Sequence, residues 1–193
     1  MLVWGMNGVP LPVAHGGPLR LVVPGWPGSA SQKWLTRITI RDREHDGPGM
    51  TGFSYRLPLK PLIPGEVVDP SNFRVLESMP VRSIITCPAD GARIAAAPSL
   101  DVRGFAWAGD DAVARVEVSL AEGAWQEAAL KPPRNRYDWQ RWQASIALPA
   151  TGAAVLRARA TDMAGNVQPE KPMNWNPGGY GGNALHRVAV WIG

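Results

Sequence analysis

From residue 81 onward, apolar and polar positions alternate in short runs, with turn residues between them at intervals of about 8–12 residues. The alternation predicts strands at 81–87, 100–108, 113–120, 125–130, 142–148, 154–161 and 185–192. Between them, Asp90-Gly91, Gly109-Asp110-Asp111, Thr151-Gly152 and Asp162 to Gly165 supply residues that tolerate tight or left-handed backbone. Seven strands over about a hundred residues predict a two-sheet, immunoglobulin-like sandwich spanning 81–193.

The first 80 residues have a different rhythm. Residues 1–55 read as a loop, a strand at 19–23, a Pro/Gly loop, a strand at 34–41 carrying Leu35, Ile38 and Ile40, and a polar loop ending at Gly52-Phe53-Ser54. Two strands in 55 residues are too few to bury a core of their own. This segment is therefore expected to be the C-terminal edge of a larger domain. Residues 56–80 carry Pro58, Pro61, Pro64, Pro70 and Pro80, which predicts an extended linker without regular ladder bonding.

Composition narrows the class. With 45% hydrophobic and 19% charged residues the chain is globular, and 19 Pro with 21 Gly disfavour long helices, leaving a mainly β fold. Nine Trp are available for core, interface or site. The net charge of +4 is spread in mixed runs such as Arg41-Asp42-Arg43-Glu44, and no nucleic-acid-binding module is present. A single cysteine, Cys87, excludes an internal disulfide and reads as a small buried hydrophobe. No apolar run is long enough to predict a membrane span. Residues 1–6 lack a signal-peptide pattern, so any export signal is expected upstream of Met1.

Formal motifs add little. Gly47 to Gly52 matches G-x-G-x-x-G, but Phe53 to Pro58 follows where a helix would be needed, so dinucleotide binding is not expected. His15, His45 and His186 have no ligand-like spacing, and His186 reads as hydrogen-bonded structure in the last strand. No nucleophile elbow, phosphate loop or paired-carboxylate motif is visible, and no catalytic residue or metal ligand is assigned.

One stretch carries chemistry. Residues 7–35 set His15, Arg20, Ser31 and Lys33 among glycines, prolines and one apolar run. A guanidinium fork, an ammonium and exposed backbone N–H groups together suit a phosphate; the plainer reading is a surface loop, a strand and a second loop facing water. The same residues carry a resemblance. Ala14-His-Gly-Gly-Pro-Leu-Arg20, Pro24-Gly-Trp-Pro-Gly-Ser-Ala-Ser-Gln-Lys33 and the closing Trp34-Leu35 resemble the sulfite oxidase family of molybdenum enzymes, nearest to its sulfane dehydrogenase branch. Trp139-Gln-Arg-Trp142, Ala158-Arg-Ala-Thr-Asp162 and the run from Asn174 to Arg187 resemble that family's dimerisation domain.

The resemblance implies that His15, Arg20, Ser31, Gln32 and Lys33 bind the phosphate and pyran end of molybdopterin, and that residues 174–183, with Trp175, Asn176 and Tyr180, shape a substrate entrance. It further implies a homodimer, a c-type cytochrome as electron acceptor, a sulfur-carrier protein as donor and a periplasmic location. The family's metal-ligating cysteine has no counterpart here, since Cys87 lies in the sandwich, so this chain is expected neither to retain the cofactor nor to turn over alone. By the same resemblance, Met50 stands where sulfite oxidases carry a Tyr, and the segment Trp175-Asn-Pro-Gly-Gly179 where they carry an Arg. Those departures disfavour free sulfite and favour sulfane sulfur. The alternative is a non-catalytic dimerisation module.

Overall fold

The structure is a computed structural model describing residues 1–47, 49–170 and 175–193. Pro48 of the G-x-G string and Asn174 of the expected entrance lie outside the described residues. The chain divides into two compact units, Met1–Met79 with Trp175–Gly181, and Pro80–Asn174 with Gly182–Gly193.

The first unit is built of short antiparallel pairs. Strand β1 (Leu2–Val3) pairs with β4 (Arg20–Leu21), β2 (Gly5–Met6) with β3 (Val9–Pro10), and β5 (Arg56–Pro58) with β6 (Phe73–Val75). The strand expected at 19–23 shrinks to Arg20–Leu21. The strand expected at 34–41 does not form. Trp34 has φ +51°, which breaks an extended run at its first residue, and Ile38 and Ile40 are 61% and 96% exposed, with no strand alongside. Residues 56–80 hold a ladder where an extended linker was expected, because the prolines sit where a missing N–H costs nothing. Pro58 ends β5, and Pro70 opens a 3-10 turn that Asp69 caps by accepting from Ser71 N–H. Among the described residues only Leu11, Phe73 and Leu76 are buried hydrophobics in this unit.

The second unit is the sandwich. One sheet has four strands in the order β12 (Ala129–Leu130), β13 (Gln140–Ala147), β9 (Ser99–Trp107), β7 (Arg82–Cys87). The other has five, in the order β11 (Gln126–Glu127), β10 (Val113–Leu120), β14 (Gly152–Asp162), β15 (His186–Ile192), β8 (Ala92–Ile94), all antiparallel except β15 with β8. Alternation along β13 is strict: Gln140, Trp142, Ala144 and Ile146 point inward and their neighbours outward. Trp142, Ala144 and Ile146 meet Val102, Ala106, Val116, Val118, Leu156, Val188 and Val190 in one core. The single strand expected at 125–130 is two, because the chain crosses between sheets at buried Ala128. Strand β8 has only three residues, too few to show alternation in the sequence.

Cys87 is half-buried rather than buried. A register shift between Ile85 and Cys87 moves it out of the inward series, and its Sγ lies 3.7 Å from Arg103 Nη2.

The open edge of β7 is capped by side chains from the connection before β15 and from the first residue of β15. Gln168 accepts from Ser83 and Ala160 N–H and donates to the Ser83 and Ala184 carbonyls, Asn183 donates to Val81 O, and His186 Nδ1 accepts from Ile85 N–H. These bonds keep that edge from templating another strand. The histidine cap exists only for a neutral ring. Burial, reinforced by the Arg82 charge and opposed by Asp90, holds the His186 pKa below the usual imidazole value. The unfolded chain therefore takes up the proton first as pH falls, so this contribution is complete above about pH 6.5 and is lost below it. Thermal unfolding of wild type should show Tm falling between pH 7.5 and 5.5, with a shallower fall in His186→Gln; equal slopes would refute the cap.

Candidate functional site

The residues expected to bind an anion are gathered around one turn of the first unit. Pro12 leads into a 3-10 turn, Val13–His15, closed by Gly16 with φ +105°. A side chain at Gly16 would press on Lys33, and one at Gly17 would collide with the Leu11 carbonyl, so the turn needs both glycines. The three carbonyls of this turn are each held by a different side chain. Trp34 Nε1 donates to Val13 O at 2.8 Å, Lys33 Nζ to Ala14 O at 2.9 Å and Arg20 Nη1 to His15 O at 3.1 Å.

The second arm is tied in by Ser31 and Gln32. Ser31 Oγ accepts from Val23 N–H at 3.2 Å, Leu21 N–H donates to Gln32 O at 2.9 Å, and the Gln32 amide donates to Ser29 O. Arg20, Ser31, Gln32 and Lys33 thus join the two loops into one frame around the exposed His15. Trp34 belongs to that frame and was absent from the expected set.

The electrostatics are one-sided. Residues 1–41 contain Arg20, Lys33, Arg37 and Arg41 and no Asp or Glu, a signal readable in the sequence that spacing arguments miss. The ion pairs of this unit among the described residues are Arg41–Asp46, Arg43–Asp46 and Arg56–Glu44, so neither Arg20 nor Lys33 is neutralised by a carboxylate. Arg20 Nε is buried with no hydrogen-bond partner. A buried guanidinium N–H left open costs about 1–3 kcal/mol, which an anionic acceptor would recover. The donor set fits a phosphate. Among the described residues no group of three or more His, Cys, Asp or Glu is placed to hold a metal ion.

The expected entrance residues serve structural roles in the same unit. Asn176 is buried, its Nδ2 donating to Arg56 O at 2.6 Å and its Oδ1 accepting from Gly178 N–H at 2.8 Å. Tyr180 packs against Tyr55 with ring centroids 4.7 Å apart, and Trp175 is half-buried. Asn176 thereby has both ends of its amide engaged, while the Tyr180 ring anchors the loop. Met50 and Tyr55, with Glu44, His45, Arg56 and Val75, line a cavity of about 130 Å³.

Two family models match the chain. A Mo-co oxidoreductase dimerisation domain covers residues 74–192, and an oxidoreductase molybdopterin binding domain covers residues 1–49. The mitochondrial sulfite oxidases of Drosophila melanogaster and Homo sapiens are each 37% identical to it, over 100% of this chain and 36% of their own length. The crystal structure of the sulfane dehydrogenase SoxCD from Paracoccus pantotrophus superposes with a TM-score of 0.77 at 29% identity, covering 97% of this chain and 47% of that one. The chain thus spans about a third of the length of these curated relatives.

Proposed function

The chain belongs to the sulfite oxidase family of molybdopterin oxidoreductases, and from that we propose that it is the portion of a sulfur-oxidising enzyme that supplies one wall of the pterin pocket together with the dimerisation domain. The observation that carries this reading is the unneutralised Arg20, with its buried, unpartnered Nε, which together with Lys33 holds the carbonyls of a turn without acids. Bound molybdopterin would bring a molybdenum centre able to take two electrons from a sulfur compound. This chain's residues hold its anionic end. Arg20 and Lys33 offer charge, His15 stands at the open side, and Ser31 and Gln32 fix the second loop against the first. Trp4, Ile38 and Ile40 are each exposed and available for the rest of a cofactor domain to cover.

Sulfane sulfur, presented by a carrier protein, is the favoured substrate, because Met50 and the segment 175–179 leave free sulfite without the Tyr and Arg described above. The likeness to the sulfane dehydrogenase SoxCD supports the same branch. The c-type cytochrome acceptor and the periplasmic setting rest on the family resemblance alone.

A second reading is a dimerisation module alone, favoured by the contrast between the sandwich core and the three buried hydrophobics of the first unit. Limited proteolysis separates the two. With molybdopterin added, residues 7–40 should gain protection while the sandwich resists digestion throughout; a stable core beginning near Ser78, with residues 7–40 cut equally fast in both samples, would establish the module.

A further inference from the structure

We propose that a hollow on the outer face of the four-stranded sheet, bounded by Arg103, Lys131 and Arg141, binds a phosphate or sulfate group. It belongs to the second unit and does not depend on the reading of the Arg20 turn.

The register of three strands brings these cations together. Arg103 faces Gln143 and Phe105 faces Arg141 across β9 and β13, so Arg103 and Arg141 are diagonal neighbours, about 7–8 Å apart and within reach of long side chains. Ala129 faces Gln143 across β12 and β13, and Lys131 N–H donates to Arg141 O at 2.8 Å, which sets Lys131 directly opposite Arg141. All three cations are exposed. Ala129 carries only a methyl group among these longer side chains. The hollow it helps to leave has a volume of about 540 Å³, and Cys87 and Phe105 also line it.

Like charges set opposite each other on a sheet repel, and carboxylates ordinarily answer them. The five-stranded sheet shows the answer. Arg157 pairs with Glu122 and Glu170, while Arg159 and Arg115 share Glu117. The Arg159 bond holds the Glu117 carboxyl below its ordinary pKa.

On the four-stranded sheet the answer is missing. Among the described residues, none of Arg103, Lys131 and Arg141 forms an ion pair. Asp101, two residues before Arg103, and Glu127 line an adjoining hollow that Arg103 shares, yet neither pairs with it. Arg103 Nη2 lies instead 3.7 Å from Cys87 Sγ, and the Arg141 guanidinium 5.8 Å from the Phe105 ring centroid. A thiol is a weak acceptor, and a ring face steadies a cation without neutralising it. Two guanidinium forks and an ammonium therefore stay open to an acceptor. A tetrahedral oxyanion matches them, since each fork can take two of its oxygens and the ammonium adds a point charge. The volume is in the range of small-ligand sites, and half-buried Phe105 gives it an apolar wall. The group is thus either the free ion or an ester carried on a small organic molecule.

Cys87, the chain's single cysteine, is a reporter inside the hollow. On the whole chain, inorganic phosphate and phenyl phosphate should each slow alkylation of Cys87 by iodoacetamide in a saturable way. Arg141→Ala should weaken that protection about tenfold or more, because a charge-assisted fork is lost. Arg93→Ala, which removes the same charge from exposed β8 of the other sheet, should leave it unchanged. Amide NMR of the labelled chain reads the same binding at residues 103, 131 and 141, whether or not the thiol reacts. Tighter binding of phenyl phosphate would assign the hollow to an organic ester, and equal binding to the free ion. No protection and no shifts at these residues up to tens of millimolar probe, or equal weakening by Arg93→Ala and Arg141→Ala, would overturn the site.

Discussion

Gly104→Ala is expected to cost the sandwich more than about 3 kcal/mol, the upper end for overpacking, and to lower its Tm by roughly 10–20 °C. Gly104 lies mid-strand in β9, paired with Ile85 on one side and Trp142 on the other. A methyl group there would overlap the Ile84 carbonyl oxygen and the Trp142 six-membered ring. Neither can retreat. The carbonyl belongs to β7, whose other edge is pinned by Gln168 and His186, and Trp142 is 2% exposed in the middle of the core. The missing side chain is thus the space into which the largest core residue packs, and Trp142→Ala should cost about 3–5 kcal/mol for the complementary reason. Urea titration followed by tryptophan fluorescence measures both. A midpoint for Gly104→Ala within a few tenths molar of wild type would show that the ring can move aside.

The sandwich was legible because its signal is local and repeated. Strand β13 alternates without exception, and the turn residues fall where the backbone needs them. What stayed hidden depended on partners distant in sequence. Ile38 and Ile40 look like strand residues, but a strand forms only against a neighbouring strand, and none lies beside them. The prolines of 56–80 look like barriers to pairing, but they occupy ends and turns, which sequence alone does not reveal. Ala128 gives no sign that the chain changes sheets there.

At the candidate site, residue types singled out His15, Arg20, Ser31 and Lys33, the family resemblance added Gln32, and the fold brings them onto one frame. The bonds that make the frame were not legible. Nothing in the sequence shows that Trp34, Lys33 and Arg20 hold three successive carbonyls, or that Arg20 keeps one N–H in reserve. For Asn176 the resemblance implied a place at a substrate entrance, and the bonds from its amide to the Arg56 carbonyl and from Gly178 N–H were likewise not legible in the sequence.

Arg20→Ala is expected to weaken anion binding by about tenfold to a hundredfold, since hydrogen bonds to charged groups contribute about 1.5–3 kcal/mol. The loss has two parts. The guanidinium charge goes, and so does the bond to His15 O that fixes the turn. Arg20→Lys should recover part of the affinity through charge alone, because an ammonium cannot reproduce the fork. Lys33→Ala should cost less, a single point charge being removed.

Titration of the isotopically labelled chain with molybdopterin, followed by backbone amide NMR, reads this at the residues themselves. Shifts should cluster at residues 13–17, 20–23 and 31–34 in wild type and collapse in Arg20→Ala while the sandwich resonances stay in place. Shifts that fall elsewhere, or that persist unchanged in Arg20→Ala, would show that this turn is not a wall of the pterin pocket.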